Sequence, residues 1–190
     1  MAKMFSGIEP PLREFIERQH IFFTASATAG SRINLSPKGS DSLRVIGPNL
    51  VAYLDQTGSG NEAAAHLRAD GRLTIMFCAF EGAPMILRLY GRGRSLPQGT
   101  DEYAKLLATA FGGDEPPGAR QIVVLDVELV QTSCGYSVPL YDYKQERLVL
   151  KNWALRKGKN GIRDYWREKN TASIDGLPTG MLEVLGEAAD

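Results

Sequence analysis

Arg32, Asn34, Ser36 and Lys38 recur at every second position of the segment RINLSPKG, with Gly39 closing it. Side chains two apart on a strand share one face, so this segment aims a guanidinium, an amide and a hydroxyl in one direction, with Lys38 at the mouth. Such a set can hold a phosphate, which carries about −1.5 to −2 charge near neutral pH. It can equally hydrogen-bond a polar heterocycle, or stand as a solvated strand face. A second candidate follows in YLDQTGSGNEAAAHLR, residues 53–68. Here a strand ending at Asp55 runs into a turn where Gly58 and Gly60 bracket Ser59, and glycine permits positive φ and close approach of a ligand to the backbone. Asn61 and Glu62 stand where a helix begins, with its unpaired N–H groups and positive dipole end. A turn followed by an N-cap is the plainer reading of the same residues. If the two strands pair, Ser59, Gly60 and Asn61 come close to Lys38. Neither GxxxxGK[ST] nor a GxGxxG opening a helix after the first strand is present.

Other chemistry is sparsely provided. Cys78 and Cys134 are the only cysteines and form no CxxC spacing, and with His20 and His66 the only histidines, no metal site is expected. Buried reduced thiols are expected of both cysteines. The histidines pair with no Ser or Asp in a triad order and read as satisfied strand and helix residues. Trp153 and Trp166 fall on basic C-terminal helices as packing anchors, with stacking on a planar ligand as the second reading. GRGR at 91–94 sits inside a strand pattern and predicts a bulge or close strand crossing. Lys+Arg and Asp+Glu each number 22, so no global basic field marks a nucleic-acid or anionic-membrane partner. The first residues lack an apolar signal region and no later stretch reaches spanning length, from which a cytoplasmic protein with no membrane contact is expected.

The elements that must position these residues follow from period and punctuation. Pro10 and Pro11 open a helix whose buried face is Leu12, Phe15 and Ile16, running to about Gln19. Residues 20–27 and 31–39 alternate as strands and predict a hairpin across Ala29-Gly30. LRVIG and LVAYLD continue the strand signal, and a helix from Asn61 to about Ala69 follows. RLTIMFCAF (72–80) and PMILRLYGRGR (84–94) form a hairpin, with Arg88, Tyr90, Arg92 and Arg94 on its wet face. Thr100 caps a helix with Asp101 and Glu102 in its first turn, ending at Gly112-Gly113. QIVVLDVELVQTSCG (121–135) is the longest strand pattern, able to cross a barrel. The composition then turns charged, aromatic and helical, broken at Gly158 and Gly161. Hairpin connections outnumber strand–helix alternation, which predicts a mainly β, α+β protein: an antiparallel split β-barrel with peripheral helices. Residues 1–140 form the barrel domain and 141–190 a C-terminal helical extension packed on it.

RINLSPKG, a strand ending YLD, a polar turn leading to a helix with HLR, then RLTIMF and ILRLYGRGR, resemble in order the pyridoxamine 5′-phosphate oxidase-like family of FMN-binding split β-barrels. SCGYSVP (133–139) and NTASIDGLP (170–178) extend the resemblance to bacterial members without an assigned activity. The resemblance implies a homodimer with FMN at the subunit interface and a flavin-dependent oxidoreductase acting on a small-molecule substrate, with NADH or NADPH as a donor. It places Arg32, Asn34, Ser36, Lys38 and Gly39 along the isoalloxazine and phosphate, and Asp55, Ser59, Gly60 and Asn61 around the ribityl and phosphate groups. No catalytic side chain is assigned, because the flavin carries the chemistry. The sequence departs from the vitamin-forming oxidases in having Ser59-Gly60-Asn61 where they carry Ser-Arg-Lys, and RDYWREKN in place of a C-terminal Arg-x-His. Pyridoxamine phosphate oxidation itself is therefore not expected. A flavin carrier or sensor without turnover, or another planar cofactor such as haem or a deazaflavin, are the alternatives.

Overall fold

Alternation of buried and half-buried residues along FFTAS, and of half-buried and exposed ones along NLSPK, makes these segments strands β2 (Phe22–Ser26) and β3 (Asn34–Lys38) of a hairpin. In the computed structural model, which describes residues 2–187, they lie at one end of an antiparallel sheet. Residue 1 and residues 188–190, at the outer ends of the two predicted segments, lie outside the described residues. The sheet also contains β1 (Lys3–Phe5), β4 (Leu43–Gly47), β5 (Leu50–Gln56), β6 (Arg72–Cys78), β7 (Ile86–Pro97) and β8 (Ala119–Ser133), in the order β3-β2-β6-β7-β8-β5-β4, with β1 against β8. The path does not close on itself, and the fold is the expected mainly β split barrel. β1 has no counterpart in the sequence reading; three residues are too few to show a period.

β8 carries the architecture because it pairs with β7, β5 and β1. Its first half, Ala119 to Leu125, is buried on both faces, which is why IVVL reads as an unbroken apolar run. Val123 and Leu125 point into the main core with Tyr53, Phe77 and Leu89. Ile122 and Val124 point the other way, into a second cluster with Leu54 and Leu96 beneath α3 (Asp101–Ala110). Thr100 caps that helix as expected, its side chain accepting from the Tyr103 N–H. GRGR behaves as its composition predicts. The β7–β8 register shifts between Tyr90 and Gly91, and a Cβ at Gly91 would lie 1.9 Å from the Asp126 carbonyl oxygen.

The remaining helices are α1 (Pro10–Glu17), α2 (Glu62–Ala69), α4 (Val149–Lys169) and α5 (Met181–Leu185). Of the two expected breaks in α4 only Gly158 is one, with φ 65° and ψ 173°, whereas Gly161 stays helical. Trp166, Ala154 and Ile162 form with Met181 and Leu185 a third apolar cluster. α4 approaches the barrel over Gly118, whose φ is +78° and where a Cβ would come 3.0 Å from that of Ala154. Cys78 is buried, and burial pushes its thiol up while Arg88 acts in the opposite direction. Cys134, expected to be buried, is exposed. It stands at the end of β8, where the chain leaves the sheet for an irregular segment in which Tyr136, Leu140 and Tyr141 are also exposed.

Candidate functional site

Asp55, the last residue but one of β5, lies against a bulge. Its partner on β8 is Gln121, whereas the next residue, Gln56, faces Ala119, so Arg120 is the extra residue. In a regular strand Arg120 and Gln121 would point to opposite faces; a bulge re-aims one of them. Both reach the same carboxylate oxygen, Arg120 Nη2 donating at 2.7 Å and Gln121 Nε2 at 2.8 Å. The other oxygen accepts from Lys38 Nζ at 2.6 Å. Asp55 and Arg120 are each only 3% exposed. Burial alone would raise the Asp55 carboxyl; the charges of Lys38 and Arg120, with their hydrogen bonds, overcome it and hold the group well below the usual carboxylate range. The carboxylate thus fixes two cations in place.

These groups line a cavity of about 630 Å³, within the range of small-molecule sites. Asn34, Ser36 and Lys38 face it from alternate positions of β3, as the period of two requires, and Asp55, Ser59, Gly60 and Asn61 line it from β5 and the turn. Two predicted residues are not brought in. Strand β3 begins only at Asn34, so the alternation does not extend to Arg32, whose backbone N–H donates to Asp175 Oδ2 at 2.8 Å and whose guanidinium pairs with the same carboxylate. Gly39 lies past the cavity, beside the His20 carbonyl and Glu146.

The turn differs from expectation in its backbone as well. Neither Gly58 nor Gly60 has a positive φ. What glycine provides here is room: a Cβ at Gly58 would meet no atom nearer than 3.8 Å. Asn61 does not cap α2 with its side chain; its Oδ1 accepts from Gln121 Nε2 at 2.9 Å. Its buried Nδ2 has no partner among the described residues, nor does Arg120 Nε, both belonging to residues that line the cavity, while the Tyr53 hydroxyl and His66 Nε2 are unpartnered away from it. Unsatisfied buried polar atoms cost about 1–3 kcal/mol each, and the two at the cavity wall suit a polar ligand.

The sequence marks NTASIDGLP as a motif and Trp166 as an anchor but does not bring either to this cavity, whose second wall they help to form. Lys169, Ala172, Ser173 and Ile174, from the end of α4 and the loop after it, line the same cavity. Trp166 is buried and donates from Nε1 to Thr57 Oγ1 at 2.8 Å, and that hydroxyl donates to the Gly118 carbonyl. Asn170, fully buried, accepts from Arg120 at 2.8 Å and donates to the Gly58 carbonyl at 3.2 Å. The Ile174 N–H donates to the Glu62 carboxylate. Neither histidine lines the cavity: His66 is buried and hydrogen-bonded to Ser26 at 3.1 Å, and His20 stacks on Tyr143. Among the described residues no cluster of His, Cys, Asp and Glu suits a metal ion.

Residues 8–134 match the family described as pyridoxamine 5′-phosphate oxidase. Over 196 aligned residues the chain is 36% identical to the pyridoxamine 5′-phosphate oxidase family protein ustO of Aspergillus flavus, covering 94% of this chain and 78% of that protein. The chain belongs to the pyridoxamine 5′-phosphate oxidase family. Solved structures share the fold of this family member at low identity. A HupZ variant from Group A Streptococcus is 18% identical with a TM-score of 0.52, over 66% of this chain and 99% of that one. A Lactobacillus delbrueckii protein provisionally described as a pyridoxamine 5′-phosphate oxidase is 19% identical with a TM-score of 0.51, over 66% and 94%. The family match ends before the second wall begins.

Proposed function

We propose that this family member binds FMN in the cavity between β3, β5 and the 57–61 turn, and serves as an oxidoreductase on a small organic molecule. The observation that carries the reading is the Lys38–Asp55–Arg120 cluster: two cations locked on one buried carboxylate, beside a glycine turn and the N-terminus of α2. The unpartnered Asn61 amide and Arg120 Nε fit a ligand rich in phosphate and carbonyl oxygens. Lys38, Arg120 and the turn would hold the phosphate, and Asn34 and Ser36 the polar edge of the ring system. Bound flavin supplies the hydride or electron transfer, leaving to the protein its position and surroundings. Asp55 keeps the cations from reorganising, so the charge stands ready before the ligand arrives. Ala172 and Ile174 keep water from one side.

A homodimer is part of the proposal. Leu35, on the outer strand of the sheet, and Ile33, just before that strand, are 64% and 76% exposed and are the apolar surface a second copy would cover. No described helix is long and apolar enough to cross a membrane, and a cytoplasmic location belongs to the same reading. Haem is disfavoured, because it wants an axial ligand and neither histidine reaches the cavity. The same cavity would serve a second reading, a flavin carrier without turnover, since flavin chemistry demands no catalytic side chain. Anaerobic bleaching by NADH or NADPH supports the enzyme; a flavin that no reduced nicotinamide bleaches supports the carrier.

The test is a visible spectrum of the purified protein after incubation with FMN and removal of the excess. Retained flavin absorbance is expected, with stabilisation of about 2.7 kcal/mol at a hundredfold the dissociation constant. Lys38→Ala combined with Asn61→Ala should abolish both. A colourless wild-type protein with an unmoved melting temperature overturns the proposal.

A further inference from the structure

Lys38 and Arg120 face the cavity, but with the barrel alone its formal charges cancel. Lys38 and Arg120 are matched by two carboxylates that also line it, Asp55 and Glu62. Both cations are bound to Asp55, and the Glu62 carboxylate accepts from the Ile174 N–H. Lys169 is the remaining lining cation, and it comes from the last turn of α4. Its ammonium lies 2.8 Å from Glu168, whose carboxylate is not part of the cavity, and the two side chains are 51% and 66% exposed. An exposed pair of this kind holds its members weakly, so Lys169 can turn to an anion in the cavity.

The same segment holds the turn. Thr57 receives the buried Trp166 indole N–H, and the carbonyls of Gly58 and Gly60 accept from Asn170 Nδ2 and from Arg120 Nη1, the latter itself bound to Asn170 Oδ1. Turning the carbonyls of a Gly-Ser-Gly turn toward α4 and β8 takes them away from the cavity, where they would repel an anion. With glycine at two of its positions, the turn has little conformational preference of its own.

We infer that the C-terminal segment is half of the binding site: Lys169 adds to Lys38 and Arg120 the cation that leaves the cavity net positive toward the ligand phosphate, and Trp166 and Asn170 are positioning residues that keep the 57–61 turn in its anion-accepting shape. The inference rests on the flavin reading for Lys169 and stands apart from it for the turn, and the experiment has one arm for each.

In the first arm, dissociation constants for FMN and for riboflavin, which lacks the phosphate, are measured on wild type, Lys169→Gln and Lys169→Arg. Lys169→Gln should weaken FMN about tenfold, the scale of a charged hydrogen bond, leave riboflavin unchanged, and be rescued by arginine. Equal losses for both ligands, or no loss, overturn the role of Lys169, as does a wild-type protein that binds neither. In the second arm, hydrogen–deuterium exchange of the segment 57–61 is followed in ligand-free Asn170→Ala and Trp166→Phe. Exchange there should quicken while β8 stays protected. An unaltered turn, or acceleration shared equally by β8, overturns the positioning role whatever the cavity binds.

Discussion

The two walls of the cavity are built on opposite principles. The barrel wall is rigid by burial: Asp55, Arg120 and Gln121 sit at about 3% exposure between two strands and satisfy one another. The C-terminal wall joins two buried anchors, Trp166 and Asn170, bonded to Thr57, Gly58 and Arg120, to a loop whose Ile174 is 73% exposed and which, among the described residues, is tied only through Glu62 and Arg32. The first wall fixes charge before a ligand arrives, and the second delivers groups that can still move. Stability and binding should therefore separate between the walls.

The largest effect is expected from Asp55→Asn, which leaves the buried Arg120 without its counter-charge. Breaking a buried pair in this way costs about 3–5 kcal/mol, readable by urea unfolding. The effect has a defined pH course. Because the folded protein holds the Asp55 carboxyl low, its contribution is fully present above the unfolded carboxyl pKa of about 3.9 and is lost as pH falls through the depressed folded value. The gap between wild type and Asp55→Asn should narrow on acidification below about pH 4. A gap that is constant with pH would mean that the charge is not what stabilises this wall.

Trp166→Phe should be milder. It keeps an aromatic anchor in the cluster of α4 and α5 but removes the hydrogen bond to Thr57, a loss of about 1 kcal/mol in thermal unfolding. A loss as large as that of Asp55→Asn would erase the distinction between the walls. The smallest effect on stability belongs to Gly58→Ala, since the added methyl meets nothing within 3.8 Å and the backbone needs no positive φ. Its melting temperature should stay within about a degree of wild type, in keeping with a change of less than about 0.5 kcal/mol. FMN retention should nevertheless fall, because Gly58 borders the cavity. Unchanged retention would remove the turn from the binding surface.

The barrel wall was largely legible because strands advertise themselves by period. Asn34, Ser36 and Lys38 face the cavity as alternation requires, and the order of motifs led to the family. Arg32 was misplaced because the pattern was extended two residues beyond the start of β3. Arg120 was missed for a different reason: a bulge breaks the rule that neighbouring strand residues face opposite ways, and no period reports it. In hindsight the signal was the pair Arg120-Gln121 heading an otherwise apolar run. Trp166 reads as a packing anchor and Asn170 opens the NTASIDGLP motif, but what each one holds has no local signal, since their partners lie 109 and 112 residues away.

Those separations also order events in time. A chain emerging from the ribosome through the end of β8 can fold its strands around their own core, but the 57–61 turn still lacks the groups that fasten it. Trp166 and Asn170 are synthesised after the whole of β8, so capture of a ligand in this cavity belongs to the last stage of maturation, once the C-terminal segment has docked on the turn.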